Sequence, residues 1–167
     1  IRWDYSIINN VDVYNYSDCG IEIQGDSMSN PSYNTFNNIS VHDDSSTYWG
    51  DGDWVGISIY ANWLTTAPWT KNVFNNMNIY DNQYGIMLNY YNPHQIDLSS
   101  IAHITNYVFN NVQVYNNKSW WIYIWWFRNS ILNNVSSYNN GGYWVYSLST
   151  TNKYYGNFAL TGNSSSY

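Results

Sequence analysis

Positive charge is scarce in this sequence: 167 residues carry 5 Lys+Arg against 11 Asp+Glu, a formal net charge of -6, and charged residues make up 10% of the chain. Arg2, Lys71, Lys118, Arg128 and Lys153 are scattered, so there is no basic stripe to neutralise a phosphate backbone, and nucleic-acid binding is not expected. Cys19 is the single cysteine, which excludes an internal disulfide and a cysteine-rich metal centre. No run approaches the ~18 apolar residues of a membrane span. The richest apolar stretch is Trp120–Phe127. No basic-then-apolar leader opens the chain at Ile1, so a mature, trimmed or excised sequence is expected. What is abundant instead is aromatic and uncharged polar: 20% of residues are aromatic, with 19 Tyr and 10 Trp, and the polar remainder is mostly Asn, Ser and Thr. Disorder goes with few aromatics and high net charge, so this is the composition of a folded chain of one domain or one segment of a longer repeat array.

A repeat runs through the sequence. The segments Ile8–Tyr14, Phe36–His42, Phe74–Tyr80, Phe109–Tyr115 and Leu132–Tyr138 share the order apolar, Asn, Asn, apolar, polar, a mostly apolar sixth place and an aromatic ring, with a decayed sixth copy at Tyr155–Thr161. Each of the first five is followed by a second alternating piece: Gly20–Ile23, Gly56–Ile59, Gly85–Leu88, Trp121–Ile124 and Trp144–Ser147. Period-2 alternation over short runs bounded by Asn and Gly predicts short strands with one buried face. From the second Asn of each pair, the spacings are 28, 38, 35, 23 and 23 residues. A 23-residue unit cannot bury its own apolar face and must stack on its neighbours, about 4.8 Å apart, so six units make a rod of only ~29 Å.

These motifs resemble the right-handed parallel β-helix repeats of the pectate-lyase-like superfamily, including the group named for a periplasmic copper-pathway protein. The resemblance covers Ile7 to Leu160 and implies an all-β solenoid of about six turns occupying 1–167 as a single domain or part of a longer β-helix. It also implies secretion to the cell surface or exterior. It does not select a function, because that superfamily holds lyases, hydrolases, adhesins and purely structural proteins.

Within such a fold the Asn pairs 9/10, 37/38, 75/76, 110/111 and 133/134 fall at one corner, where one Asn of each pair would bond to its equivalents as a ladder and tolerate left-handed backbone. The columns Ile8/Phe36/Phe74/Phe109/Leu132, Val11/Ile39/Met77/Val112/Val135 and Ile21/Ile57/Ile86/Ile122/Val145 are the expected core. Asn15, Asn38, Asn117, Asn134 and Asn163 begin Asn-x-Ser triplets, a number chance accounts for in so Asn-rich a chain, and Asn38 and Asn134 are assigned to the inner ladder.

Insertions at 24–34, 43–55, 60–72 and 89–106 flank one strand face with expected outward positions Glu22, Ser58, Met87, Tyr123 and Tyr146. Loops on a rigid scaffold concentrate binding residues. Trp49, Trp54, Trp63, Trp69, Tyr90 and Tyr91, with Tyr123 and Tyr146, form the candidate aromatic shelf for a polysaccharide or cell-surface glycan; His94 stands in the same loops. Asp43 and Asp81 align in successive repeats and, with Asp51 or Asp53, form a candidate calcium site, since neighbouring carboxylates either raise a pKa or share a cation. A lyase would need a base, for which Lys71 is the candidate. A hydrolase would need a carboxylate pair, Glu22 with Asp43 or Asp51 with Asp53. His42, His94 and His103 share no metal-binding spacing, and His42 replaces Tyr in the column Tyr14/Tyr80/Tyr115/Tyr138. The leading expectation is a non-enzymatic structural or adhesive solenoid with a glycan-binding face; the alternative is a polysaccharide lyase or glycoside hydrolase. With no obvious cap at either end, the chain is expected to belong to a longer helix or to self-associate end to end into an oligomer or filament.

Overall fold

The computed structural model describes residues 1, 4–25, 31–44, 55–61, 69–90, 104–119, 122–124, 127–141, 146–147, 153–155 and 159–161. Among them there are strands and no helix, and hence no helix long and apolar enough to cross a membrane. The fold is all-β, and every strand pairing among the described residues is parallel.

Three sheets are present among the described residues. The Asn-pair segments are strands β1 (Ile7–Tyr14), β3 (Thr35–His42), β6 (Val73–Tyr80), β9 (Val108–Tyr115) and β12 (Ile131–Tyr138), joined in that order and followed by β14 (Lys153–Tyr155), with β15 (Ala159–Thr161) also on β12. The second alternating pieces are β2 (Cys19–Gly25), β4 (Val55–Ala61), β7 (Tyr84–Tyr90), β10 (Ile122–Ile124) and β13 (Tyr146–Ser147), again neighbours in sequence order. A third sheet joins β5 (Trp69–Thr70), β8 (Ile104–Thr105) and β11 (Phe127–Arg128). Two stretches expected to be loop therefore contain strand: β5 lies inside 60–72 and β8 inside 89–106. Likewise β2, β4 and β7 continue to Gly25, Ala61 and Tyr90, one residue past the expected loop starts.

Register follows the repeat residue for residue: Phe36 lies opposite Phe74, and Phe74 opposite Phe109. Their rings stack at 4.7 and 4.8 Å between centroids and within 7° of parallel, with Phe36 and Phe74 fully buried. Ile39, Met77, Val112 and Val135 form the second buried column, and Val41, Ile79 and Val114 a third. From the second sheet Ile21, Ile57 and Ile86 complete the core, as expected. Ile122 extends that column in register, opposite Ile86, whereas Val145 lies outside the described residues. Gly56 shows how close the sheets come: an added Cβ would meet Ile79 Cγ2 at 2.6 Å and the carbonyl oxygen of Gly85 at 2.8 Å.

The sixth copy is offset. Tyr155 lies opposite Asn133 and Ala159 opposite Ser136, so the two pairings differ in register by one residue. The alignment read from sequence holds for Ala159–Thr161 and slips by one residue before it.

Buried polar groups at the sheet ends were not anticipated. Asn82, Asn117 and Asn140 each follow a left-handed residue, namely Asp81, Asn116 and Asn139. The amide N–H of Asn82 donates to Asn117 Oδ1 at 3.1 Å, and Asn117 N–H donates to Asn140 Oδ1 at 2.9 Å. Their Nδ2 groups donate to the carbonyls of Val41, Ile79 and Val114. At the other end of the first sheet, Asn34 N–H donates to Asn72 Oδ1, and Asn72 Nδ2 donates to Pro31 O and Tyr107 Oη. Each such Asn satisfies backbone groups where the chain turns and the strand ladder cannot.

Two adjacent asparagines thus have opposite roles. Replacing buried Asn117 by Ala strands the Asn82 N–H and the Ile79 carbonyl, and urea unfolding should show a loss of about 2–3 kcal/mol. Asn116→Gly, at an exposed left-handed position, should change stability by no more than about 0.5 kcal/mol in the same measurement.

Candidate functional site

The described surface with the most repeated side-chain chemistry is the outward face of the first sheet. A plain strand alternates in and out, but β3, β6, β9 and β12 place two successive residues outward, the Asn pair, before turning in again. The cause is the second Asn of each pair. Asn10, Asn38, Asn76, Asn111 and Asn134 have φ between 52° and 56°, the left-handed region that Asn tolerates better than most residues.

Both Asn columns are ladders. Asn37, Asn75, Asn110 and Asn133 each donate Nδ2 to the Oδ1 of the preceding rung, starting at Asn9, at 2.7, 2.8, 2.8 and 3.3 Å. Asn38, Asn76, Asn111 and Asn134 do the same from Asn10, at 2.9, 3.0, 3.1 and 3.1 Å. The expectation of one inner ladder is corrected: there are two, and the column holding Asn38 and Asn134 is exposed.

Beside them runs a ladder of rings. Tyr14, His42, Tyr80, Tyr115 and Tyr138 stack with centroids 5.8, 4.6, 5.0 and 4.9 Å apart and planes within 15°. Faces meet faces, so this column shows edges and hydroxyls to solvent rather than the open π surfaces on which a sugar packs.

His42 breaks the column chemically. Its Nε2 lies 3.0 Å from Asp12 Oδ1 and its Nδ1 2.9 Å from Asp43 Oδ2, with 15% of the side chain exposed. Only the imidazolium carries a proton on each nitrogen and donates to both carboxylates. Burial opposes that charge, but the hydrogen bonds to Asp43 and Asp12 outweigh it and raise the pKa above its ordinary value. Sequence reading took His42 as a substitute for Tyr and missed Asp12, although Asp12 two residues before Tyr14 faces the same way as the ring column. Burial, with Asp12 and Asp43 nearby, also holds the Tyr80 hydroxyl above its usual range.

The other candidates separate. Asp43 and Asp81 occupy equivalent left-handed positions in successive repeats, as expected, but Asp43 is engaged by His42. Among the described residues no group of three or more His, Cys, Asp or Glu is placed to hold a metal ion. Asp51 and Asp53 lie outside the described residues, as do Trp49, Trp54, Trp63, Tyr91, His94 and His103. Lys71 precedes β6 while Asp43 follows β3, so the candidate base and carboxylate sit at opposite ends of one sheet. The Lys71 ammonium lies over the Tyr33 ring, 5.3 Å from its centroid. Glu22 is exposed on the second sheet, in one register column with Ser58, Met87, Tyr123 and Tyr146, as expected. Ser58 in that column is buried rather than outward. Trp69 begins β5 opposite Ile104, and Tyr90 ends β7 opposite Ala61.

No family model matches the chain, and neither a curated protein nor a solved structure does.

A folded-state pKa raised above the unfolded value of about 6.5 stabilises the fold fully below that value and ceases to do so as pH rises through the raised one. NMR titration of the His42 ring should give a midpoint above 6.5. His42→Tyr, which keeps a ring in the column, should remove this component of the pH dependence of unfolding, and an unshifted midpoint would contradict the doubly bonded imidazolium.

Proposed function

We propose that the three sheets are the faces of a right-handed parallel β-helix and that the protein is an extracellular or cell-envelope structural rod whose insertions hold glycan. The winding is supported by the order in which the chain visits the sheets, first, second and third in turn through β6–β7–β8 and β9–β10–β11, and by a register that advances one repeat at each return. The hand follows the general preference of parallel crossovers. Location rests on the resemblance of the repeat and on the low charge.

The observation that carries the structural reading is the pair of Asn ladders, one exposed and one half-buried, beside the largely half-buried ring ladder. Their polar and aromatic groups are spent on one another from repeat to repeat, which stiffens a rod. A lyase would need its base and carboxylate together, and Lys71 and Asp43 lie at opposite ends of the first sheet. The glycan-holding part rests on sequence alone: the aromatic residues of the insertions, Trp49, Trp54, Trp63 and Tyr91, are the candidates for open π surfaces, because the rings of the Tyr column cover each other. Calcium enters the same proposal through Asp43, Asp51, Asp53 and Asp81.

Incubation with acidic and neutral polysaccharides, with and without Ca²⁺, tests this reading. Retention on a polymer without release of short or unsaturated products is the expected result, reduced at least about tenfold by Trp54→Ala with Trp63→Ala if each ring contributes about 1 kcal/mol. Product release that disappears in Lys71→Ala or Asp43→Asn would overturn it in favour of catalysis.

A further inference from the structure

We propose that Asn15 is the acceptor of an N-linked glycan, and that among the Asn-x-Ser triplets of the described residues the fold keeps this role for it alone. The inference rests on the extracellular reading above, because the modification is made by an oligosaccharyltransferase on chains that cross a membrane, and it marks surface turns. Chance accounts for how many triplets the chain has; it does not decide which amide nitrogen solvent can reach. Asn15, Asn38, Asn117 and Asn134 lie on described residues.

Asn15 and Asn117 stand at the same turn of different repeats, one place apart. The first place of that turn holds Asn15, Asp43, Asp81, Asn116 and Asn139, all exposed and all left-handed, with φ between 54° and 56°. The second place holds Tyr16, Asp44, Asn82, Asn117 and Asn140, which are half-buried or buried. Asn15 therefore faces outward because of its place in the turn, and repeats with a neighbour on each side show the same exposure. Asn117, one place later, is 1% exposed and spends its Nδ2 on Ile79 O and Asn140 Oδ1. A sugar on that nitrogen would displace the bonds that close the turn.

The two ladder triplets are closed in another way. Asn38 has a rung on each side, its Nδ2 donating to Asn10 Oδ1 and its Oδ1 accepting from Asn76. Asn134 donates its Nδ2 to Asn111 Oδ1. A sugar on either nitrogen would crowd the next amide, one strand spacing of about 4.8 Å away.

Asn15 is held without the use of its side chain. Its backbone N–H donates to Asp43 O at 3.0 Å, and Tyr16, turned inward, donates its hydroxyl to Asn82 Oδ1 at 2.6 Å. Among the described residues no group bonds the Asn15 carboxamide, and Ser17, the third member of the triplet, is exposed as well. In the transfer, Asn15 Nδ2 bonds to the anomeric carbon of a glycan carried on a lipid pyrophosphate. The bond from that carbon to the pyrophosphate oxygen breaks, the lipid pyrophosphate leaves with the electron pair, and Nδ2 gives up one of its two protons.

The full chain, expressed behind a secretory leader in a eukaryotic cell line, is collected from the medium, deglycosylated enzymatically in heavy-oxygen water to mark each former acceptor, and mapped by mass spectrometry. The mark is expected on Asn15 in most molecules and on none of Asn38, Asn117 and Asn134. Asn15→Gln and Ser17→Ala should each remove the glycan, Ser17→Thr should keep it, and the thermal transition of Asn15→Gln should match that of the deglycosylated parent. Secreted protein unmodified at Asn15, or carrying its glycan mainly at Asn38 or Asn134, overturns the inference. Retention of the deglycosylated chain on polysaccharide is scored separately, so a failure at Asn15 and a failure of the glycan-holding rod are told apart.

Discussion

In-register parallel pairing is the constraint on which the rest of this structure depends. When each residue lies opposite its own counterpart one repeat away, a column is stable only if its residue type attracts itself. Asn does, having a donor and an acceptor on one amide, and aromatic rings do by stacking; like charges directly opposite repel. The 10% charged composition and the abundance of Asn and Tyr are therefore consequences of the pairing. His42 is an informative departure: among tyrosines it introduces a cation on demand, and Asp12 and Asp43 lie on either side of its ring to hold it.

A second constraint is backbone handedness. Left-handed residues recur five apart in the first five repeats, as at Tyr33, Asn38 and Asp43, or Asn106, Asn111 and Asn116. The first and third flank the strand and the second bends it, so the Asn pair faces outward together. Asn serves at many of these places because left-handed backbone costs other L-residues about 1–2 kcal/mol. The residue after the third turn is turned inward, where Asn82, Asn117 and Asn140 bond the backbone of the neighbouring repeat.

These features shape what the protein can do. An outward face whose groups bond one another is a stiff surface, and chemistry on foreign molecules falls to groups outside the columns. The ladders are also directional, each Nδ2 donating to the Oδ1 of the preceding repeat. The proposals on winding and function rest on the repeat, its register and its ladders.

Repeat, strand type, pairing partners and most of the core columns were legible in the sequence, because the alternation of Phe74, Met77 and Ile79 about the Asn pair is a local pattern that recurs in each repeat; Val11, expected in the core, is exposed. The candidate site was less so. Alternation alone would have sent Asn38 inward; the left-handed bend that keeps it exposed is a backbone choice that residue type permits without dictating. Likewise Asp43 was readable as an acidic neighbour of Asp81, yet its bond to His42, the distance of Lys71 from it along the sheet, and the burial of Asn117 beside exposed Asn116 depend on where three sheets place residues far apart in sequence. By itself the sequence determined which residues lie opposite one another, since register is set by repeated local pattern. The tertiary structure alone decided which way those residues point and what they meet, because orientation at a turn is fixed by packing against the other sheets.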